Sequence, residues 1–317
     1  MKKLATLAMG LLLSMSVMAN TTYEQGLHFY NLGTDDGYRQ AFTYFSQAAE
    51  QGDSEAQLKL GYMYIMGYGV NQDYNKALEW YTKSAEQGNA GAQYNLGLMH
   101  EKGDGVRRDY QQAVEWYTKA ANQGLAEAQT NLGLMYEKGH GVRQDYQKAV
   151  EWYAKAANQG YADAQANLGY MYGKGYGVRQ DYQKAVEWYA KAANQGLAEA
   201  QTNLGLMYEK GHGVRQDYQK AVEWYAKAAN QGLAEAQVNL GYLYYHGYGV
   251  RQDYKQAFNW YAKAAAQNDA VAQSNIAGLY YNGWGVRQSY SLAKEWYGKA
   301  CDNGYQYGCD EYRKLNQ

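Results

Sequence analysis

No proline occurs among the 317 residues, so glycine, present 36 times, must make every break in the chain. Cysteine is nearly absent: Cys301 and Cys309 are the two, both near the C-terminus. Stability must therefore come mainly from packing and not from a disulfide framework. Charge is sparse and unclustered, with 30 basic against 31 acidic residues. Without a basic stripe there is nothing to track a phosphate backbone, which argues against nucleic acid and anionic membrane surfaces as partners. Past the N-terminal segment no apolar run approaches the roughly 18 residues a membrane span needs.

That N-terminal segment reads differently from the rest. Lys2 and Lys3 precede an apolar run from Leu4 to Val17, and Val17-Met18-Ala19 is a small-residue cleavage pattern. This is the form of a secretory signal peptide over residues 1–19, with a mature start at Asn20. No cysteine follows the cleavage point to carry a lipid. Losing the two lysines would take the net charge from −1 to −3. A periplasmic or secreted protein without membrane insertion is expected.

The dominant feature is a repeat. Trp80, Trp116, Trp152, Trp188, Trp224, Trp260 and Trp296 follow one another at intervals of 36 residues without insertion or deletion. Residues 125–160 reappear unchanged as residues 197–232. A strict period of this length marks a solenoid array. Interchangeable units favour an extended surface over one special set of catalytic residues.

One repeat predicts two helices. In residues 126–160, Ala128, Leu132, Met135 and Tyr136 fall at helical spacing, and Gly133 beside them implies close approach of a neighbouring helix. Gly139-His140-Gly141 ends this helix, since glycine takes the left-handed cap conformation. Asp145 is placed to cap the next helix, where Tyr146, Ala149, Val150, Tyr153 and Ala157 form a stripe that Trp152 and Ala156 widen. Faces this apolar must be covered by the partner helix and by the following repeat.

The pattern AQxNLGxMYxxGxGVxQDYxKAxxWYxKAAxQG, over roughly residues 54–302, resembles the Sel1-like repeat, a relative of the tetratricopeptide repeat. The resemblance implies an all-α fold, a right-handed superhelix of helix pairs with the first helices on a concave face. Four segments follow: the signal peptide 1–19, a degenerate repeat 20–53, seven repeats 54–305 and a capping helix 306–317. Cys301 and Cys309, in an exported chain, are expected to be disulfide-bonded, the alternative being two separate buried thiols. Their spacing resembles that of the secreted cysteine-rich branch of the family, where such pairs staple consecutive helices. A loop this short would add about 2–3 kcal/mol.

Several candidates for chemistry are discounted. The Trp-Tyr dipeptides could be sugar platforms, but their place on an apolar helix face makes them core. The Gly-x-Gly loops lack the third glycine and preceding strand of a phosphate cradle. His28, His100, His140, His212 and His246 have no metal-ligand spacing, and His140 and His212 share one repeat position with Tyr68, Asp104, Tyr176, Tyr248 and Trp284, which reads as an exposed loop tip. No metal and no cofactor are expected. Ser291-Leu292-Ala293-Lys294 matches the Ser-x-x-Lys element of penicillin-recognising enzymes, and members of the cysteine-rich branch are associated with β-lactam binding. The partner elements of that motif are missing, so a chance tetrapeptide is preferred.

Binding residues are sought on the first helices. Asn95, Asn131, Asn167, Asn203, Asn239 and Asn275 recur one residue before the core leucine or isoleucine, off the apolar stripe. Tetratricopeptide proteins use asparagines at this point to bond a bound peptide's backbone. The alternative, bonds to a neighbouring repeat's backbone as structural glue, stays equally open. A variable set reads Ile65, Glu101, Glu137, Gly173, Glu209, Tyr245 and Tyr281, turning from acidic to aromatic. With Tyr242, Tyr248 and Trp284, these tyrosines are expected to form an exposed aromatic patch. The function read from all this is a non-enzymatic, exported scaffold binding a protein or peptide segment on its concave face, as an envelope adaptor, host-contact or immunity-type protein. The alternatives are a β-lactam or peptidoglycan hydrolase resting on Ser291 and Lys294, or a glycan-binding module with cell-wall material as partner.

Overall fold

The computed structural model describes residues 21–317, so the expected signal peptide lies outside the described residues. All regular structure among them is helical. The chain divides into two compact units, meeting in sequence at Gln159 and Gly160. The first holds α1 (21–30), α2 (Asp35–Glu50), α3 (Ser54–Met66), α4 (Tyr74–Glu86), α5 (Ala90–Lys102), α6 (Tyr110–Asn122), α7 (Ala126–Lys138) and α8 (Tyr146–Asn158). The second holds α9 (Ala162–Lys174), α10 (Tyr182–Asn194), α11 (Ala198–Lys210), α12 (Tyr218–Asn230), α13 (Ala234–His246), α14 (Tyr254–Ala265), α15 (Ala270–Asn282), α16 (Tyr290–Asp302) and α17 (Gln306–Lys314). Within each unit every helix packs on the next, as in an α-solenoid.

Capping follows the sequence. Gly139 ends α7 at φ 72°, and the Asp145 carboxylate accepts a hydrogen bond from the Lys148 amide at the start of α8. Gly141 has a separate reason to be glycine: at φ 70°, an added Cβ would collide with the Tyr110 carbonyl of the preceding repeat.

The core is built on one contact. A Cβ on Gly133 would fall 2.7 Å from the Tyr153 ring, and the same ring-on-glycine packing joins Gly205 to Tyr225 and Gly241 to Tyr261. The close approach implied by Gly133 is thus made by a ring lying on the bare helix. These tyrosines are at most 3% exposed. Their tryptophan neighbours are not core, contrary to expectation. Each is half-buried, one face covering the preceding repeat's core and the other carrying the lysine three residues on, as with Lys155 Nζ 3.6 Å above Trp152.

Repeats are also joined by a glutamine chain. Gln129 donates to the Ala121 carbonyl at 3.0 Å, and its own Oε1 accepts from Gln159 at 2.8 Å. Gln93, Gln201 and Gln237 do the same in their repeats. All are buried, so each supplies, where solvent does not reach, a second hydrogen bond to a carbonyl that already accepts from the glycine amide three residues on.

Two outcomes test this core. Gln129→Leu removes the acceptor of the Gln159 amide and one of the two hydrogen bonds of the Ala121 carbonyl, so chemical denaturation should show a loss of about 1–3 kcal/mol. Burial pushes the phenols of Tyr81, Tyr117, Tyr153, Tyr189, Tyr225, Tyr261 and Tyr297 above their ordinary value. A folded pKa above the unfolded one gives stability that is complete below about pH 10 and drains as pH rises past it, by about 1.4 kcal/mol per unit for each phenol. Melting temperature should fall steeply above about pH 10, and Tyr189→Phe should make that fall shallower.

Candidate functional site

The first helices present one row of asparagines per unit: Asn95 and Asn131 in the first, Asn167, Asn203, Asn239 and Asn275 in the second. All are half-buried. Asn131 donates to the Tyr117 hydroxyl at 3.3 Å. Among the described residues none of the six bonds a neighbouring repeat's backbone; the glutamines carry that role.

The variable acidic positions have an internal partner. The hydroxyls of Tyr117, Tyr153 and Tyr225 donate to Glu101, Glu137 and Glu209 at 2.5, 2.6 and 2.8 Å. Burial, with this bond, holds the Tyr117 and Tyr153 phenols far above the usual range. The hydrogen bond to Glu209 in turn raises Lys210. These glutamates therefore serve the fold, each tied to the tyrosine of its partner helix.

The position of His140 and His212 is not a bare loop tip either. His140 stacks on Tyr110 and His212 on Tyr182, each at 4.6 Å between centroids. Tyr248 and Trp284 stack likewise on Tyr218 and Tyr254, at 5.0 and 5.3 Å. An aromatic ring is favoured there because it clamps the loop to the preceding repeat. Tyr248 and Trp284 nonetheless stay partly exposed, with Tyr245 packed 5.7 Å from Trp284. Tyr281 stands apart, edge-on to the exposed Tyr290.

A cleft of about 380 Å³ opens on the first-helix face of the second unit. Helix α13 supplies Tyr242, Tyr245 and His246, and α15 supplies Ser274, Asn275, Gly278 and Asn282. Tyr261 and Tyr297 meet them from the second helices, and Tyr307 of α17 closes the end. The structure thus brings Tyr242, Tyr245 and Asn275 together and leaves Tyr248, Tyr281 and Trp284 outside. The residue that sequence reasoning missed is Gly278. Its counterparts one repeat apart are Tyr62, Leu98, Leu134, Tyr170, Leu206 and Tyr242, so a large side chain is missing here. An added Cβ would meet only the Tyr297 hydroxyl, 3.8 Å away. Roomier grooves of about 600–700 Å³ recur where α10, α12 and α14 begin. Their walls are the same repeated residues each time, so they are what the repeat leaves open and not a specialised site.

Ser291 and Lys294 are not brought together. The Ser291 hydroxyl lies 3.0 Å from that of Ser289, and the Lys294 ammonium sits over the Tyr312 ring.

The geometry and the 36-residue spacing meet in the comparison with known proteins: the Sel1 repeat matches residues 14–53 and then, without a gap, seven segments from 54–89 to 270–305. The chain belongs to the Sel1 repeat family. Sel1 repeat proteins are generally protein-interaction scaffolds. The chain is 40% identical to a protective antigen of uropathogenic Escherichia coli strains with an SLR fold, at a TM-score of 0.80. That match covers 86% of this chain but 59% of the antigen, so the chain spans little more than half of that protein's length. It is 33% identical to a Sel1 repeat protein from Oxalobacter formigenes, over 98% of this chain and 91% of the other, at a TM-score of 0.74. No curated protein matches the chain.

Cys301 and Cys309 form a disulfide that ties α17 to α16 and so holds Tyr307 at the end of the cleft. Cys309→Ser should cost about 2–3 kcal/mol of stability by the chain-entropy argument. Hydrogen exchange should show the loss concentrated in α17.

Proposed function

We propose that this Sel1 repeat protein is an exported, non-enzymatic scaffold that holds a segment of a partner protein along its first-helix face. One observation carries the reading: that face repeats half-buried asparagines free of backbone glue and ends, in its last two repeats, in exposed aromatic rings. Carboxamides pair with an extended backbone whatever its sequence, while aromatics supply the anchoring energy. Lys2, Lys3 and the apolar run to Ala19 support export, and the periplasm or the exterior as the place of action. Within that setting an envelope adaptor, a host-contact factor and an immunity-type protein all use such a surface. The separation of Ser291 from Lys294 weighs against the hydrolase alternative.

The test is affinity capture from envelope fractions with the chain from Asn20 onward as bait, read by mass spectrometry. One stoichiometric partner is expected. Tyr245→Ala combined with Tyr281→Ala should abolish its capture while helix content stays intact; undiminished capture would overturn the anchor assignment. Turnover of a chromogenic β-lactam, lost in Ser291→Ala, would revive the enzyme.

A further inference from the structure

We infer that the cleft between α13 and α15 is a binding site for a neutral carbohydrate, taking roughly one or two pyranose rings. The inference rests on reading the first-helix face as a binding surface and names the chemistry that its C-terminal end recognises.

The cleft is made by departures from the repeat. Gly278 stands where the other six full repeats carry leucine or tyrosine, and Tyr245 where three of them carry glutamate. The first change removes a side chain, and the second removes a charge. What remains is a cavity with no carboxylate, ammonium or guanidinium in its lining.

Asn282 donates to the Gly278 carbonyl at 2.8 Å, but four other polar groups of the lining are uncommitted. Among the described residues no protein group pairs with the hydroxyls of Tyr242, Tyr245 and Tyr261 or with the carboxamide of Asn275. In three other repeats the hydroxyl equivalent to that of Tyr261 is taken by a glutamate, as Glu209 takes Tyr225. An apolar ligand would bury these groups unpaired, and an ionic one would find no carboxylate, ammonium or guanidinium to pair with. A sugar ring offers what both lack, a rim of hydroxyls that donate and accept and a C–H face for an aromatic ring. Tyr242, 40% exposed, supplies that ring.

The walls are held before any ligand arrives. Tyr242 packs against His246 at 4.3 Å and Tyr248 at 6.2 Å, and Tyr245 against Tyr254 at 5.3 Å. Tyr307 is fixed through the disulfide-tied α17. Little side-chain freedom remains to be lost on binding.

Chitotetraose, maltotetraose, mannotriose and lacto-N-tetraose would be titrated calorimetrically into the chain from Asn20 onward. At least one should bind with a Kd of about 1 mM or tighter. Gly278→Leu restores the side chain of Leu98, Leu134 and Leu206, so it should fold with an equal or higher melting temperature and lose at least about tenfold in affinity. Tyr261→Phe, which removes one hydroxyl, should weaken binding several-fold, and Tyr62→Ala in the first unit should leave it unchanged. The proposal fails if none of the four sugars binds, or if Gly278→Leu binds as the parent does. It also fails if a peptide, and no sugar, is excluded by Gly278→Leu. Two further arms separate the sources: co-sedimentation with purified glycan strands reports cell wall, and loss of partner capture on enzymatic deglycosylation reports a glycoprotein. Failure of the scaffold reading is distinct, since the Tyr245 and Tyr281 capture experiment can fail while Gly278-dependent sugar binding persists.

Discussion

The contact on which this protein depends is a tyrosine ring lying on a helix where a glycine has left the backbone bare. It recurs from Gly61 beneath Tyr81 to Gly241 beneath Tyr261. With alanine in place of the glycine, the ring would meet a methyl at under 3.0 Å in each of those repeats. The contact sets how closely the two helices of a pair approach. It also decides where the tyrosine hydroxyl emerges, which is on the first-helix face. There the hydroxyl needs a partner, and Glu101, Glu137 or Glu209 supplies it. One steric fact thus links the core to the chemistry of the binding face.

The last repeat breaks the arrangement by one residue. Ala277 occupies the glycine position and Gly278 follows it. Moving the bare patch one residue along turns it about 100° around the helix, away from the core. The core there closes on Ala277, fully buried, and Tyr297 is 5% exposed where its equivalents are 0–3%. The cleft is the other half of that shift, because the space given up at Gly278 opens on the ligand side. Pairs of tyrosines and histidines that stiffen loops elsewhere become, at Tyr242, Tyr245 and His246, the wall of a cavity.

The fold was legible because it is written many times over. Periodicity located the helices and their glycine ends, and Asp145 and its equivalents marked the caps. Three features resisted the same reasoning. Trp152 and Tyr153 are adjacent on a broad apolar arc, and a helical wheel cannot say which ring faces inward and which takes a lysine on its back. The bond between Glu137 and Tyr153 joins residues on two helices, so a pattern along one helix reads Glu137 as a free surface charge. The glutamines stood in the repeat pattern itself, yet their buried bonds depend on the preceding repeat's last carbonyls, which only the packed structure supplies. For the candidate site, the sequence located the right end of the array through its aromatics. It missed Gly278, because one glycine among many looks like another break until its six bulky counterparts are set beside it.

An array of near-identical units has a particular difficulty with specificity. Residues 125–160 and 197–232 are the same sequence, so any site built wholly within one would exist twice, at equal strength. A repetitive ligand would tolerate this, but a single defined ligand would not. Uniqueness requires positions where repetition fails, and these gather between Tyr242 and Cys309. There glutamate gives way to tyrosine, a glycine moves by one place, and the single disulfide closes the end of the chain. Repeats that keep their glycine and glutamate, as the one with Gly205 and Glu209 does, stay regular beside them. The division of labour follows from stacking, in which each unit is stabilised by its neighbours, so the last one can spend its surface on a cavity.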